Sequence, residues 1–131
     1  MKRMEPTPFN LFCAYYLGMN ERLESEFFNM NKLAERVGMP VDDLIRLMEK
    51  YHLDAPTMRH IPFNYSKAHG DIQDLLIEGK HQEALKLARR FFKEFLAALR
   101  EIDESKDFET VDYEHILGDL DKPPKGNLKE V

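Results

Sequence analysis

Between positions 85 and 102 the apolar residues Leu85, Ala88, Phe92, Phe95, Leu99 and Ile102 recur in steps of three and four. That spacing brings each side chain back to the same side of a 3.6-residue helix, so it predicts one long helix over about 81–103. Ala84, Leu87, Phe91, Leu96 and Ala98 widen the apolar arc to about half the circumference. A rod with so wide an apolar half has two outcomes. It is the central spine of a bundle, or part of its face is reserved for a homodimer or protein partner through the 85–102 seam. The opposite side carries a narrow basic stripe, Lys86, Arg89, Arg90, Lys93 and Arg100, bordered by Glu83, Glu94 and Glu101. Such a stripe is a solvated face, a surface for phosphates or an acidic partner, or a dock for the chain's own acidic stretch 101–121.

Composition narrows the setting. A chain of 131 residues fits one domain, expected over 1–120, with a disordered acidic, Pro/Gly-containing tail at 121–131. Nine Phe and five Tyr within 43% apolar residues are enough for a substantial core. No apolar run reaches the roughly 20 residues of a membrane span, and the first eight residues are too polar for a signal peptide. One cysteine, Cys13, rules out an internal disulfide and favours the cytoplasm. The net charge of −5 is uneven: residues 1–100 carry 15 Lys/Arg against 14 Asp/Glu, and 101–131 carry four Lys against ten Asp/Glu. Overall acidity disfavours non-specific nucleic-acid binding and an anionic membrane partner.

Local signals place the other elements. Thr7-Pro8 reads as an N-cap and first helical position, and Gly18 as the stop of a helix over about 8–17. Residues 19–30 fit either a helical turn or a short extended piece. Asn29 and Asn31 are candidate caps for a helix containing Leu33, Ala34 and Val37, which Gly38-Met39-Pro40 breaks. Asp42 and Asp43 suit the start of the next helix, which runs to about His52. Pro56 and Pro62 make 53–65 a loop or one short helical turn. Ser66 is the expected cap of a helix over 67–78 that Gly79 ends, and a further short helix is expected around Tyr113 to Leu117. The fold class is all-α: a compact bundle of about five helices.

Residues 31–53, NKLAERVGMPVDDLIRLMEKYHL, resemble a helix-turn-helix motif on Leu33, Ala34, Val37, Gly38, Met39, Leu44 and Leu47. The resemblance implies a close helix pair and, in DNA-binding members, base contact from the start of the second helix. The candidate DNA-contact residues it implies are Lys32, Arg36, Asp42, Arg46 and Lys50. Two aspartates at the groove-facing end oppose phosphate, so a helical hairpin with no DNA role is the competing reading. Residues 72–92 also look like part of a tetratricopeptide unit, on Gly79, His81, Ala84 and Leu85. A single copy implies only a tight α-hairpin.

Catalytic signatures are missing: there is no P-loop, GxGxxG, GxSxG, HExxH or CxxC. Cys13 lies in the apolar run FNLFCAYYL and reads as a buried structural thiol. No histidine is three or four residues from another, so no helix face offers a ready metal pair, and no metal or cofactor is expected. The stretch 59–81 collects Arg59, His60, Lys67, His69 and His81, candidates for a small-anion or ligand site if the fold converges them.

The leading expectation is a non-enzymatic regulatory or adaptor module acting through protein contacts. The alternative is a helix-turn-helix DNA-binding regulator, and the third is a small-ligand binder at 59–81.

Overall fold

The computed structural model describes residues 3–106, with side chains described to residue 101. The expected short helix at 113–117, the 121–131 tail and the Ile102 end of the seam lie outside the described residues. What is described is an all-α bundle with no strand. Its helices are α1 (Pro8–Phe12), α2 (Met30–Val37), α3 (Val41–Lys50), α4 (Ala55–His60), α5 (Tyr65–Ile77) and α6 (His81–Lys106).

Helix α1 starts as its sequence dictates: the Thr7 hydroxyl accepts from the Asn10 N–H at 3.1 Å, and Pro8 fills a position whose N–H would be orphaned anyway. It then departs from the expected single α-helix, because Cys13–Leu17 forms a π-helical turn closed by Gly18 at φ +67. Cys13, Ala14, Tyr16 and Leu17 are all buried in this wider turn, with Tyr15 half-buried beside them. Phe12 stacks on Phe95 with ring centroids 5.5 Å apart and meets Phe92 at 5.2 Å. Phe9 meets Phe92 edge-on.

Residues 19–29 are extended and looped, not helical. Met19 and Ser25 form a single antiparallel bridge, and the Asn20 side-chain oxygen accepts from the N–H groups of Arg22 and Glu24. Asn29, of the two candidates, caps α2 by accepting from the Lys32 N–H at 2.8 Å. Helices α2 and α3 form the hairpin expected of the helix-turn-helix pattern. Gly38 turns the chain at φ +75, and Leu33, Ala34, Val37, Leu44 and Met48 are buried. Helix α3 stops at Lys50, short of His52, which sits at φ +60.

The 53–65 connection contains one short helix, α4, capped by Asp54. The cap of α5 is Asn64, whose side chain accepts from the Lys67 N–H at 3.0 Å. This corrects the expectation of Ser66, which lies inside the first turn: Asn64 is already in place two residues earlier. Gly79, at φ +79, turns α5 into α6, and the Lys80 N–H closes the turn on the Leu75 carbonyl.

The seam of α6 is the spine of the fold. Leu85, Ala88, Phe92, Phe95 and Leu99 are all buried within the one chain, as are Ala84, Phe91, Leu96 and Ala98. Helix α1 and α5 cover it, with Phe63 reaching Phe91 and Phe95. The sequence left open whether a second copy shares this face. Over Leu85–Leu99 it does not have to, because intramolecular packing has already removed the apolar side chains from water.

Candidate functional site

The extended segment 19–29 is clasped onto the bundle from three sides. Gln73 of α5 donates to the carbonyls of Leu17 and Gly18 at 2.8 and 3.1 Å and accepts from the Ser25 hydroxyl. His81 at the start of α6 lies with Nδ1 2.6 Å from the Leu23 carbonyl. Arg36 of α2 donates to Glu21 and, at 2.6 Å, to Glu26, while its guanidinium rests on the Phe28 ring. Partial burial opposes ionisation of Glu26, but hydrogen bonds from Asn20, Lys32 and Arg36 outweigh it and hold the carboxyl at about 2.

This clasp sets the aromatic pair Phe27-Phe28 beside the π turn and the first half of α5. Phe28 turns inward and is buried, whereas Phe27 is 76% exposed. Between them, Tyr15, Tyr16, Tyr65, Asn29, Ser66 and His69 enclose a cleft of about 440 Å³. A second hollow of about 250 Å³ continues it along Gly18, Ser25, Glu26 and Gln73, sharing Tyr15, Phe27, Phe28 and His69. The rings are fixed by one another. Tyr16 meets Tyr15 edge-on at 5.0 Å and Tyr65 at 5.6 Å, and its hydroxyl donates to the Leu53 carbonyl. Burial, with Tyr15, Asp54 and Tyr65 adding to it, raises the Tyr16 phenol, so it stays a neutral donor. Among the described residues no Lys, Arg or Asp lines the larger cleft. It therefore suits apolar or aromatic groups, with hydroxyls and an imidazole for polar contact at its edges.

The residues singled out from sequence fall elsewhere or apart. Arg36 is mostly buried and faces inward to Glu21 and Glu26, so its charge serves the clasp. Lys32 bonds Glu26 at 3.0 Å. On α3, Asp42, Asp43, Arg46 and Lys50 are exposed, and Arg46 is paired with Asp43 at 2.8 Å. That end of the hairpin thus presents two carboxylates and one neutralised cation. The 59–81 candidates do not converge: His69 opens on the aromatic cleft, and Lys67 lies in a separate groove between α5 and α6, bonded to Asp71. Arg59 and His60 are exposed at the end of α4, and His81 is held at Leu23. Among the basic-stripe residues, Lys86, Arg90, Lys93 and Arg100 are exposed, while Arg89 is half-buried close to Cys13. Burial pushes the Cys13 thiol far up, so no thiolate forms there.

Sequence reasoning passed over Phe27, Phe28 and Tyr15 as site residues. The one available signal was Phe27-Phe28 itself, an aromatic pair in a segment without helical periodicity. Among the described residues no group of three His, Cys, Asp or Glu is placed to hold a metal ion, and no helix is long and apolar enough to cross a membrane. Compared with known protein families, with curated proteins and with solved structures, the chain matches none.

Proposed function

We propose that this chain is a non-enzymatic adaptor module that takes a short apolar segment of a partner protein into the cleft of Tyr15, Tyr16, Phe27, Phe28 and Tyr65. The observation that carries the reading is Phe27: a large aromatic side chain, 76% exposed, at the lip of a pre-formed aromatic cleft. Leaving such a ring in water forgoes a stabilisation of about 2 kcal/mol. Rigid aromatic residues flanking a hollow are also the commonest anchors of protein interfaces. The absence of charge in the lining favours an apolar anchor over a phosphate or a carboxylate. The composition of the chain, with its single buried cysteine, fits a cytoplasmic setting.

The contact surface lies away from the α6 seam, which the chain's own packing covers. DNA binding ranks below this reading because Asp42 and Asp43 occupy the start of α3 and Arg36 is committed to two glutamates.

The test is a titration of the isotopically labelled protein with short peptides: aromatic, proline-rich, leucine-rich and, as a control, Gly/Ser. At least one apolar peptide is expected to shift the resonances of Tyr15, Phe27, Tyr65 and His69, and Phe27→Ser should weaken that response. Shifts from none of them, or shifts centred on Asp42 to Lys50, overturn the reading.

A further inference from the structure

The lining of the aromatic cleft selects for charge as well as for apolar surface. Five of its eight residues are Phe or Tyr, and the others are Asn29, Ser66 and His69, with no Lys, Arg or carboxylate among the described residues there. The faces of such rings carry negative potential and attract a positive charge. Tyr16 is buried, and Tyr15 and Tyr65 meet its ring at interplanar angles of 86° and 67°. The rings therefore stand as walls at steep angles to one another and do not form a flat stack. Phe27 adds an exposed ring at the lip. One ring of the site already holds cations: the Arg36 guanidinium and the Lys32 ammonium lie 5.2 and 5.4 Å from the Phe28 centroid. Glu21 and Glu26 balance these two charges, so they leave no net positive charge beside the cleft.

Which cation fits follows from what the lining lacks. An ordinary lysine ammonium carries three N–H donors and is strongly hydrated. In the larger cleft it meets no carboxylate to accept from it, so its lost hydration is poorly replaced. An ammonium whose hydrogens are replaced by methyl groups has no donor to satisfy. It presents an apolar shell, keeps its charge, and complements both properties of the lining. We infer that the partner segment is anchored in this cleft by a trimethylated lysine side chain, held by the rings of Tyr15, Tyr16, Phe27 and Tyr65. The cleft, at about 440 Å³, is in the size range of small-ligand pockets and has room for the aliphatic stem behind the methylated head. The inference rests on the cleft being the partner-binding surface and names the group that this surface selects.

The experiment uses the full chain and one short Gly/Ser peptide with a central lysine in three forms: trimethylated, unmodified, and a neutral analogue with carbon in place of the ammonium nitrogen. Tetramethylammonium alone is the fourth probe. Affinities are measured by calorimetry and the site by resonance shifts. The trimethylated peptide is expected to shift Tyr15, Phe27, Tyr65 and His69 and to bind about tenfold more tightly than either other peptide. Phe27→Leu keeps apolar bulk at an exposed position but removes the ring, so it should reduce that preference about fivefold and leave binding of the neutral analogue unchanged. Equal affinity for the neutral analogue, or an equal loss for both peptides in Phe27→Leu, overturns the inference and leaves the apolar-segment reading standing. So does silence from the trimethylated peptide where aromatic or leucine-rich peptides bind. Tetramethylammonium binding as tightly as the trimethylated peptide overturns the assignment to a partner's lysine. Silence from every peptide overturns the inference and the adaptor reading together.

Discussion

Arg36 and Glu26 are joined at 2.6 Å between Nη2 and Oε2, ten residues apart in sequence and from different elements. The pair fastens the extended segment to α2, and Glu21 supplies a second carboxylate to the same guanidinium. All three side chains are largely withdrawn from water, so losing the cation takes from Glu21 its ion pair and leaves Glu26 with Asn20 and Lys32 alone. Arg36→Ala is expected to lower unfolding free energy by about 3 kcal/mol. Lys32, which bonds the same Glu26 but is 43% exposed, should cost less than about 1 kcal/mol as Lys32→Ala. Urea denaturation of the two variants separates them. Equal losses would show that the Arg36 pair behaves as a surface contact.

The same network sets a pH dependence. Glu26 is held at about 2 in the folded chain against an ordinary 4.5. A depressed carboxyl stabilises the fold fully above its unfolded value and loses that contribution as pH falls through the folded one. The window is therefore from about pH 4.5 down to about pH 2. Denaturation midpoints for the wild type should fall through this window more steeply than those of Glu26→Gln, whose side chain has no proton to take up. Parallel curves would mean that another carboxylate carries the acid sensitivity.

Much of this architecture was legible because it follows from local periodicity. The three-and-four spacing from Leu85 to Leu99 specified α6 and its buried face, and Thr7-Pro8, Gly18, Gly38 and Gly79 marked ends with a steric reason at each. The cleft was not legible, because its walls come from three segments distant in sequence. Nothing local to Tyr15, Phe27 or Tyr65 says that they meet. That depends on Gln73, Arg36 and His81 pinning an extended segment that has no period of its own. The pairing of Arg36 was hidden for the same reason: its partners, Glu21 and Glu26, precede the motif that made it a candidate for DNA contact.

Glycines offer a paired check on the backbone. Gly18 sits at φ +67, and an added Cβ would lie 2.9 Å from Gln73 Nε2 and 3.1 Å from His69 Cε1. Gly18→Ala combines left-handed strain with displacement of the side chain that holds the segment, and should cost about 2 kcal/mol. Gly70 lies within α5, and a Cβ added there would meet nothing within 4 Å. Gly70→Ala should stabilise by about 0.5–1 kcal/mol through helix propensity alone. Thermal melts read both signs, and destabilisation by Gly70→Ala would contradict the helical, open environment assigned to that position.

Stability and binding should separate at Phe27 and converge at Phe92. Phe92 is 1% exposed and packs on Phe9, Phe12 and Phe95, so Phe92→Ala should cost about 3–5 kcal/mol. Its melting temperature should not depend on protein concentration, because the seam is buried inside one chain and not between two. Phe27→Ser removes a ring that is mostly in water and should change stability by no more than about 0.5 kcal/mol, while removing the anchor at the lip of the cleft. Melts at several protein concentrations, together with peptide titration of both variants, test the pair. A concentration-dependent melt would return the α6 seam to the subunit interface, and a large stability loss at Phe27 would make that residue part of the core instead of the binding surface.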